Sequence, residues 1–550
     1  MTNLGKKVIY QIYPKSFYDS NGDGIGDLRG IINKIDYIKK LNIDMIWMNP
    51  FFVSPQNDNG YDVADYCKID PLFGTMADFE ELAKKLKDIG VDIMLDMVLN
   101  HCSTEHPWFK KAKAGDKKYQ KYFYIRPAKP DGSAPNNWQS IFGGSAWAKF
   151  DDNNYYLHLF DPSQADLDWH NSDVRKELAN VINFWRSKGV HGFRFDVINA
   201  IGKDKELLDS TPEHSQYDLV FDKPVVHSYL KELNENSFGQ DADSVTVGEI
   251  GGESSIDNYV HYSNPDEHEL SMVFTFQHLD VDCKNGDKWQ NIPFDFMRLK
   301  KVLNNIEVQL SQRNGWNAVF WNNHDQPWAL SRFGDPVHYR EKSAEMLAAT
   351  IHFMRGTPYI YMGEEIGMVN PSYDNIADYN DVESKNAYKM LLDQGKTSEE
   401  AMEIIKYRSR DNARTPMHWD SSKNAGFTTG TPWLGIKHQD KINVKDELDH
   451  GEIFNFYQKL IKLRKELDII SDGDYHPLLE DDPNVFAYVR ELNGQKLLVL
   501  NNFFGKDATI QVPKDLQKDG KVLLSNYDCQ LNKLGDSLKL EPYQTVAFLE

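Results

Sequence analysis

Three acidic residues of this 550-residue chain each end a short apolar run. Asp196 closes Gly192-Phe193-Arg194-Phe195-Asp196, Glu249 closes Thr246-Val247-Gly248-Glu249, and Asp325 closes Asn322-Asn323-His324-Asp325. Alone, such an acid is more often the cap of the next helix, accepting the N–H groups that a helix start leaves free. Brought to one end of one sheet, the three suit glycoside hydrolysis. Retention needs two carboxyl groups about 5 Å apart, one attacking the anomeric carbon and one protonating the leaving oxygen. Arg194 stands two residues before Asp196, on the same side of its strand, and its cation is expected to keep Asp196 ionised for attack. Glu249 is expected to hold a proton near neutral pH under desolvation and neighbouring negative charge. Asp325 then serves the sugar hydroxyls and the positive charge of the transition state.

A second group of oxygens has metal-ligand spacing. Asp19-Ser20-Asn21-Gly22-Asp23-Gly24-Ile25-Gly26-Asp27 places donors on Asp19, Asn21, Asp23, Ile25 (through its carbonyl) and Asp27, with Gly at the sixth position, as a calcium loop requires. Position twelve is Gly30 rather than Glu. The expectation is a modest structural site for Ca2+, with Mg2+ as the alternative ion, remote from the carboxylates; an Asn/Gly-rich turn would look similar. No organic cofactor is expected.

The elements that must position these residues are eight short apolar runs ending in polar residues, each followed by a segment of helical period. They are Val8 to Pro14, Ile43 to Pro50, Asp92 to Asn100, Val190 to Val197, Val245 to Ile250, Leu270 to Phe276, Ala318 to Asp325 and Thr357 to Gly363. Met76 to Ile89 and Val174 to Lys188 carry Leu, Phe, Ile and Trp at helical spacing. Eight such units predict an α/β fold, a (β/α)8 TIM barrel spanning 1–101 and 170–472. Two breaks in the spacing fall where barrel insertions belong, in the loops at the mouth. The first, 102–169, is predicted to be a subdomain inserted after the third strand; the second, 366–433, follows the eighth strand and contains a charged helical part from Asp381 to Lys406. From 473 to 550 the pattern turns to alternating strands such as Val485 to Arg490 and Lys496 to Asn501, a C-terminal antiparallel β-sandwich.

Bulk properties narrow the partners. With 62 Lys+Arg against 83 Asp+Glu, the formal charge of -21 repels nucleic acid and anionic lipid. Twelve Trp, 27 Tyr and 29 Phe suit stacking against sugars, though most belong in the core. Four scattered cysteines form no CxxC pair, so reduced thiols and a cytoplasmic location are expected. From the first residues, which run within a few positions into a strand, no signal peptide is expected, and no apolar run reaches the roughly 18 residues that span a bilayer. A monomer acting on a small sugar or sugar phosphate is the expected form.

The three acidic blocks, with Ile93 to His101, resemble the four sequence blocks of the α-amylase family, glycoside hydrolase family 13, and the likeness runs from Tyr10-Gln11-Ile12-Tyr13-Pro14 to the C-terminal strands. Within that family the chain looks most like the oligo-1,6-glucosidase, dextran glucosidase and trehalose-6-phosphate hydrolase group, whose fold is a barrel, an inserted domain and a β-sandwich. The resemblance implies that Asp196 is the nucleophile, Glu249 the acid/base and Asp325 the transition-state stabiliser. It assigns His101, Arg194 and His324 to hydroxyls of the first glucose, with Phe160 and Gln164 beside them. Asp58-Asn59-Gly60-Tyr61-Asp62 resembles the segment supplying a stacking Tyr, Tyr61, and a sugar-binding Asp, taken as Asp62; Arg410 is similar to the Arg that pairs with that Asp. Such a pair closes the pocket behind one glucose and implies release of single glucose units.

Val197 after the nucleophile looks like the α-1,6-acting members, and Asn100 to His106, Gln164 to Leu167, Ile201 to Asp204 and Tyr361 to Glu365 are similar to trehalose-6-phosphate hydrolases. A phosphorylated disaccharide needs a cation clamp. Lys203, Lys205, Lys284 and Lys288 are the candidates, each otherwise a solvated loop lysine. Against this reading, His278-Leu279-Asp280-Val281-Asp282 carries an acid where those hydrolases carry Lys, so an oligo-1,6-glucosidase is the alternative. Some relatives of the fold are non-catalytic sugar-binding subunits, but those lack one or more of the three carboxylates that this chain retains.

Overall fold

The computed structural model describes residues 3–252 and 254–550. Eight parallel strands close into a barrel in sequence order: β1 (Ile9–Ile12), β2 (Met45–Met48), β3 (Asp92–Met97), β4 (Gly192–Phe195), β5 (Val245–Glu249), β6 (Met272–Phe274), β7 (Asn317–Val319) and β8 (Thr357–Tyr361), with β8 pairing back onto β1. Seven fall inside the runs read from the sequence; β7 begins at Asn317, one residue before its run of Ala318 to Asp325, and ends at Val319, so that Asp325 lies in the loop beyond it. The strands are apolar on both faces because one face packs into the barrel and the other under the helices. Side chains fill the interior: a Cβ on Gly192 of β4 would lie 2.6 Å from the Met94 Cβ and 2.8 Å from the Met45 Sδ.

The helices form the outer layer. α1 (Met76–Asp88) starts on a reciprocal Thr75–Asp78 capping box and buries Phe79, Leu82 and Leu86; α2 (Ser172–Ser187) buries Val174, Leu178, Val181, Ile182 and Trp185. α3 (Val225–Asn236) and α4 (Ile256–Ser263) follow β4 and β5.

Between β3 and α2 the chain builds the inserted subdomain, a three-stranded sheet of Ile125–Pro127, Asn154–Leu157 and Trp147–Lys149 over a core including Tyr124, Trp138, Trp147, Leu157 and Leu159. The insertion after β8 carries α5 (Val382–Asp393) and α6 (Ser398–Arg408). The C-terminal region is a five-stranded antiparallel sheet with a second, two-stranded sheet of Ala508–Gln511 and Ser537–Leu540. In Val485–Leu492, Val485, Ala487 and Val489 enter a core shared with Leu538 and Leu540 of that second sheet, while the intervening Phe486 and Tyr488 join the barrel core. The alternation follows from the two-residue period of a strand. No helix among the described residues is long and apolar enough to cross a membrane.

Candidate active site

The strand ends bring two of the three sequence-identified acids, Asp196 and Glu249, onto one buried cation, while the third, Asp325, pairs with Arg410 and Arg414. Arg194 points inward from β4, 1% exposed, and its Nη1 donates to Asp196 Oδ1 at 2.8 Å and to Asp96 Oδ1 at 2.6 Å, while its Nη2 donates to Glu249 Oε2. Asp96 on β3 is a member of the site that strand-end reasoning passes over, because it lies inside its strand and shows its partners only across the barrel. It also accepts from the Tyr61 hydroxyl at 2.9 Å and from Trp47 Nε1 at 3.2 Å.

Asp196 and Glu249 interact directly. Burial, with Glu249 and Asp96 beside it, drives the Asp196 carboxyl well above the usual carboxylate range despite the opposing pull of Arg194. The expectation that Arg194 keeps Asp196 ionised is corrected accordingly, since one cation is divided among three acids. Val197, the next residue, is held in the left-handed region at φ 36°, ψ 45°, strained for a β-branched side chain, and this turn aims its N–H at Glu249 Oε2, 3.2 Å away.

Asp325 faces the other way electrostatically. Burial raises it, but His324 and then the Arg414 and Arg410 guanidinium groups outweigh burial and hold it well below the usual range, so it is anionic. His324 Nε2 lies 3.0 Å from Asp325 Oδ2 and 2.6 Å from the Tyr61 hydroxyl, and Gln11 Nε2 bonds to its Nδ1 at 3.0 Å. Tyr61 is thus more than a stacking surface: its ring lies parallel on His324, centroids 5.3 Å apart, and its hydroxyl links His324 to Asp96. Burial lowers His101 to about 4, leaving it neutral near pH 7. It contacts the Tyr61 carbonyl and Gln164 through Nε2 and packs on Phe160 at 5.2 Å.

Arg410 does close a carboxylate pair, but with a different acid from the one assigned. Its Nη2 reaches Asp58 Oδ1 at 3.2 Å, and Gln164 Nε2 donates to Asp58 Oδ2 at 3.0 Å. Asp62 is fully buried and accepts from Ser54 Oγ and from the backbone N–H groups of Asn57 and Asp58. It shapes the turn, and Asp58 is the pocket acid. Burial raises Asp58 to about 6 against Arg410 and Arg414. Asp381 completes the clamp, accepting from Arg410 Nη2 at 2.6 Å and Nε at 3.0 Å.

The lysine clamp needs larger correction. Lys203 is fully buried in a 2.8 Å ion pair with Asp166 and donates to Asn100 Oδ1 and the Ala200 carbonyl, so no phosphate reaches it. Lys288 pairs with Glu383 at 2.7 Å, and Glu383 in turn lies 3.3 Å from Arg410 Nε, which ties Lys288 to the clamp around Asp58. Lys205 and Lys284 are exposed. Lys284 opens the hairpin of Cys283–Lys284 and Asp287–Asn291 that carries Lys288.

In the loop after β1, Asp19 Oδ1 accepts from Asn21 and Gly22 N–H, Asn21 Oδ1 from Asp23 N–H, and Asp23 Oδ1 from Ile25 N–H. These bonds turn the loop on itself at Gly24, φ 92°, where a Cβ would meet the Thr431 carbonyl oxygen at 1.9 Å. An all-oxygen donor set on a glycine-hinged loop fits a hard divalent cation.

The comparisons agree with this architecture. The family model described as "Alpha amylase, catalytic domain" matches residues 11–473, and "Alpha-amylase SusG C-terminal domain" matches 485–547. The chain is 46% identical to a trehalose-6-phosphate hydrolase of Bacillus subtilis (strain 168), covering 99% of this chain and 97% of the relative. It is also 46% identical to an oligo-1,6-glucosidase of Parageobacillus thermoglucosidasius, covering 98% and 97%. Among solved structures, the trehalose-6-phosphate hydrolase of Bacillus licheniformis superposes with a TM-score of 0.94 at 48% identity, over 99% of both chains. Strand-end carboxylates gathered on one arginine, in a barrel that the family model matches over residues 11–473, make this chain a glycoside hydrolase of the α-amylase family.

Proposed function

We propose that this enzyme is a retaining, exo-acting α-glucosidase that hydrolyses trehalose-6-phosphate to glucose and glucose-6-phosphate. The observation that carries the reaction is the Arg194 fork, which holds Asp196 and Glu249 side by side. Glu249 acts as general acid and delivers a proton to the leaving oxygen, while Asp196 attacks the anomeric carbon and forms a covalent glucosyl ester. Water then adds with Glu249 as base. Asp325, kept anionic by His324 and Arg414, stabilises the positive charge on the ring. Asp58, Gln164, His101 and Arg410 hold the hydroxyls of one glucose, and the Asp58–Arg410 pair closes the pocket behind it.

The substrate rests on the two trehalose-6-phosphate hydrolases to which the chain is similar over nearly its whole length. The phosphate end falls to Lys288 and Lys284 on one hairpin and to Lys205, with Glu383 giving up Lys288 when the anion arrives. Oligo-1,6-glucosidase activity is the second reading, favoured by the equal identity to such an enzyme and by the loss of Lys203 to Asp166. Measuring kcat/KM on trehalose-6-phosphate, trehalose and isomaltose decides: preference for the phosphorylated sugar is expected, and equal or better turnover of isomaltose overturns the assignment. The proposal includes a structural Ca2+, or alternatively Mg2+, in the loop of Asp19, Asn21, Asp23, Ile25 and Asp27. It also includes a monomer in the cytoplasm, where four free thiols persist.

A further inference from the structure

Outside the barrel mouth, α3, α4 and the segment entering β6 converge on a second chemical group. Glu269 is 2% exposed, and its two carboxylate oxygens face two imidazoles: Oε2 lies 3.0 Å from His227 Nδ1 and Oε1 3.3 Å from His261 Nε2. Among the described residues this is the group of three or more His, Cys, Asp or Glu whose ligand atoms gather within 4.8 Å of one another. Both Glu269 Oε1 and His261 Nε2 are buried at the atom level and have no hydrogen-bond partner, although they face each other. A buried acceptor left without a partner costs free energy. An atom between them would satisfy both.

We infer that His227, His261 and Glu269 form a binding site for one divalent transition-metal ion of the zinc class. Tetrahedral Zn2+, with bonds of about 2.0–2.2 Å, sets neighbouring ligand atoms roughly 3.3 Å apart, and the observed separations of 3.0 and 3.3 Å lie just below and at that value. The donor chemistry selects the ion. Two imidazoles and a carboxylate suit zinc, cobalt or nickel, whereas Ca2+ and Mg2+ take oxygen ligands and soft ions take sulfur. Glu267 offers a fourth ligand, its Oε2 lying 3.3 Å from His261 Nε2.

Two features describe the site before the ion enters. Lys231 Nζ stands 2.6 Å from Glu267 Oε2 and 3.9 Å from Glu269 Oε1, supplying part of the positive charge that the acids require. The two imidazole rings lie parallel, 8° apart with centroids at 3.7 Å, so an ion in the plane of one lies off the plane of the other. Binding therefore tilts His261, whose side chain is 38% exposed, and displaces Lys231. The bound ion fastens α3 and α4 to the loop before β6 on the helical layer of the barrel. It takes no part in glucoside hydrolysis.

The test uses the full-length protein stripped of metal by a chelator and titrated with Zn2+ by calorimetry and with Co2+ by visible absorption. One equivalent is expected, with tetrahedral Co2+ bands that disappear in His261→Ala and in Glu269→Gln, and Zn2+ affinity falling by roughly tenfold or more in each. Zn2+ should raise the Tm of the wild type and leave that of the variants unmoved. Removing the competing ammonium in Lys231→Met should tighten binding. Should Glu269→Gln fail to fold, His261→Ala decides, since its side chain is partly exposed. Metal-free His261→Ala should hydrolyse its substrate at the wild-type rate. Absence of stoichiometric binding, or equal affinity in the wild type and His261→Ala, overturns the assignment and places any bound ion on the Asp19 loop or the thiols.

Discussion

Arg194 serves three carboxylates with one guanidinium, and that sharing gives each acid its own task. Asp96, fully enclosed, anchors the cation, while Asp196 and Glu249 compete for what remains of its field. Glu249→Gln removes the proton donor but keeps the shape, so kcat on a natural disaccharide should fall by roughly 10²–10⁴-fold. On 4-nitrophenyl α-glucoside, whose leaving group needs no proton, the first step should be largely spared; an equal loss on both substrates would mean that Glu249 does not donate the proton. Asp58 carries a pH signature. Because burial raises it to about 6, its protonated form favours the folded state, and folding stability from this group rises as pH falls through 6. An acid limb of kcat/KM near pH 6 is therefore a binding effect, the loss of the anion that faces Arg410 and the sugar. Asp58→Asn should lower kcat/KM and flatten that limb, and an unchanged limb would remove Asp58 from the pocket.

Between elements, Asp282, which enters from the segment after β6, draws several partners together. It accepts from Arg332 through Nε and Nη2, from Arg408 of α6 and from the Tyr407 hydroxyl, so it joins the loop after β7 to the insertion after β8. Burial alone raises this carboxyl, yet Arg332 and Arg408 outweigh it and hold it below the usual range. A depressed carboxylate contributes stability above its unfolded pKa of about 4 and loses it as pH falls through the lower, folded value. Asp282→Asn leaves two buried guanidinium groups without their anion and should cost about 3–5 kcal/mol in chemical unfolding; a loss below about 1 kcal/mol would show that the clamp is replaceable. The sequence shows why such links escape a reading by pattern. Strands β1 to β8 announce themselves because burial on both faces leaves continuous apolar runs, and Asp196 and Glu249 stand at the ends of two of them, with Asp325 in the loop after β7. Asp96 and Arg414 act through partners on other strands and loops, which no local spacing encodes. Asp58 and Asp62 sit in one turn, where neither helical nor strand period says which side chain faces the sugar. Lys203 reads as a mobile cation until Asp166, from the inserted subdomain, is brought beneath it.

At the scale of the whole molecule, segments far apart in sequence are fastened by polar groups that the barrel pattern does not require. Arg490 of the C-terminal sheet donates to the Phe353, Ile470 and Gly473 carbonyls, and Lys300 of the barrel returns the contact to the Leu479, Asp482 and Val485 carbonyls. The calcium-like loop does the same for the two ends of the catalytic domain. Thr428 Oγ1 donates to Asp19 Oδ2, Asp19 N–H to the Phe427 carbonyl, and Trp433 N–H to the Gly24 carbonyl, so the loop after β1 is the seat on which the end of the second insertion rests. That insertion also supplies Arg410 and Arg414 to the sugar pocket. An ion bound by Asp19, Asn21, Asp23 and Asp27 would act on catalysis only through this seat, by holding the arginines in place. Ca2+ should accordingly raise Tm by mass action, with a dependence on ion concentration that a chelator reverses. Asp23→Ala, which leaves Asp19 and its bonds to Thr428 intact, should abolish the shift and raise KM more than it lowers kcat. A Tm insensitive to both Ca2+ and Mg2+ would reduce the loop to a self-bonded turn, with Asp19 and Asp27 stabilised by its backbone N–H groups and by the Thr428 and Ser20 hydroxyls.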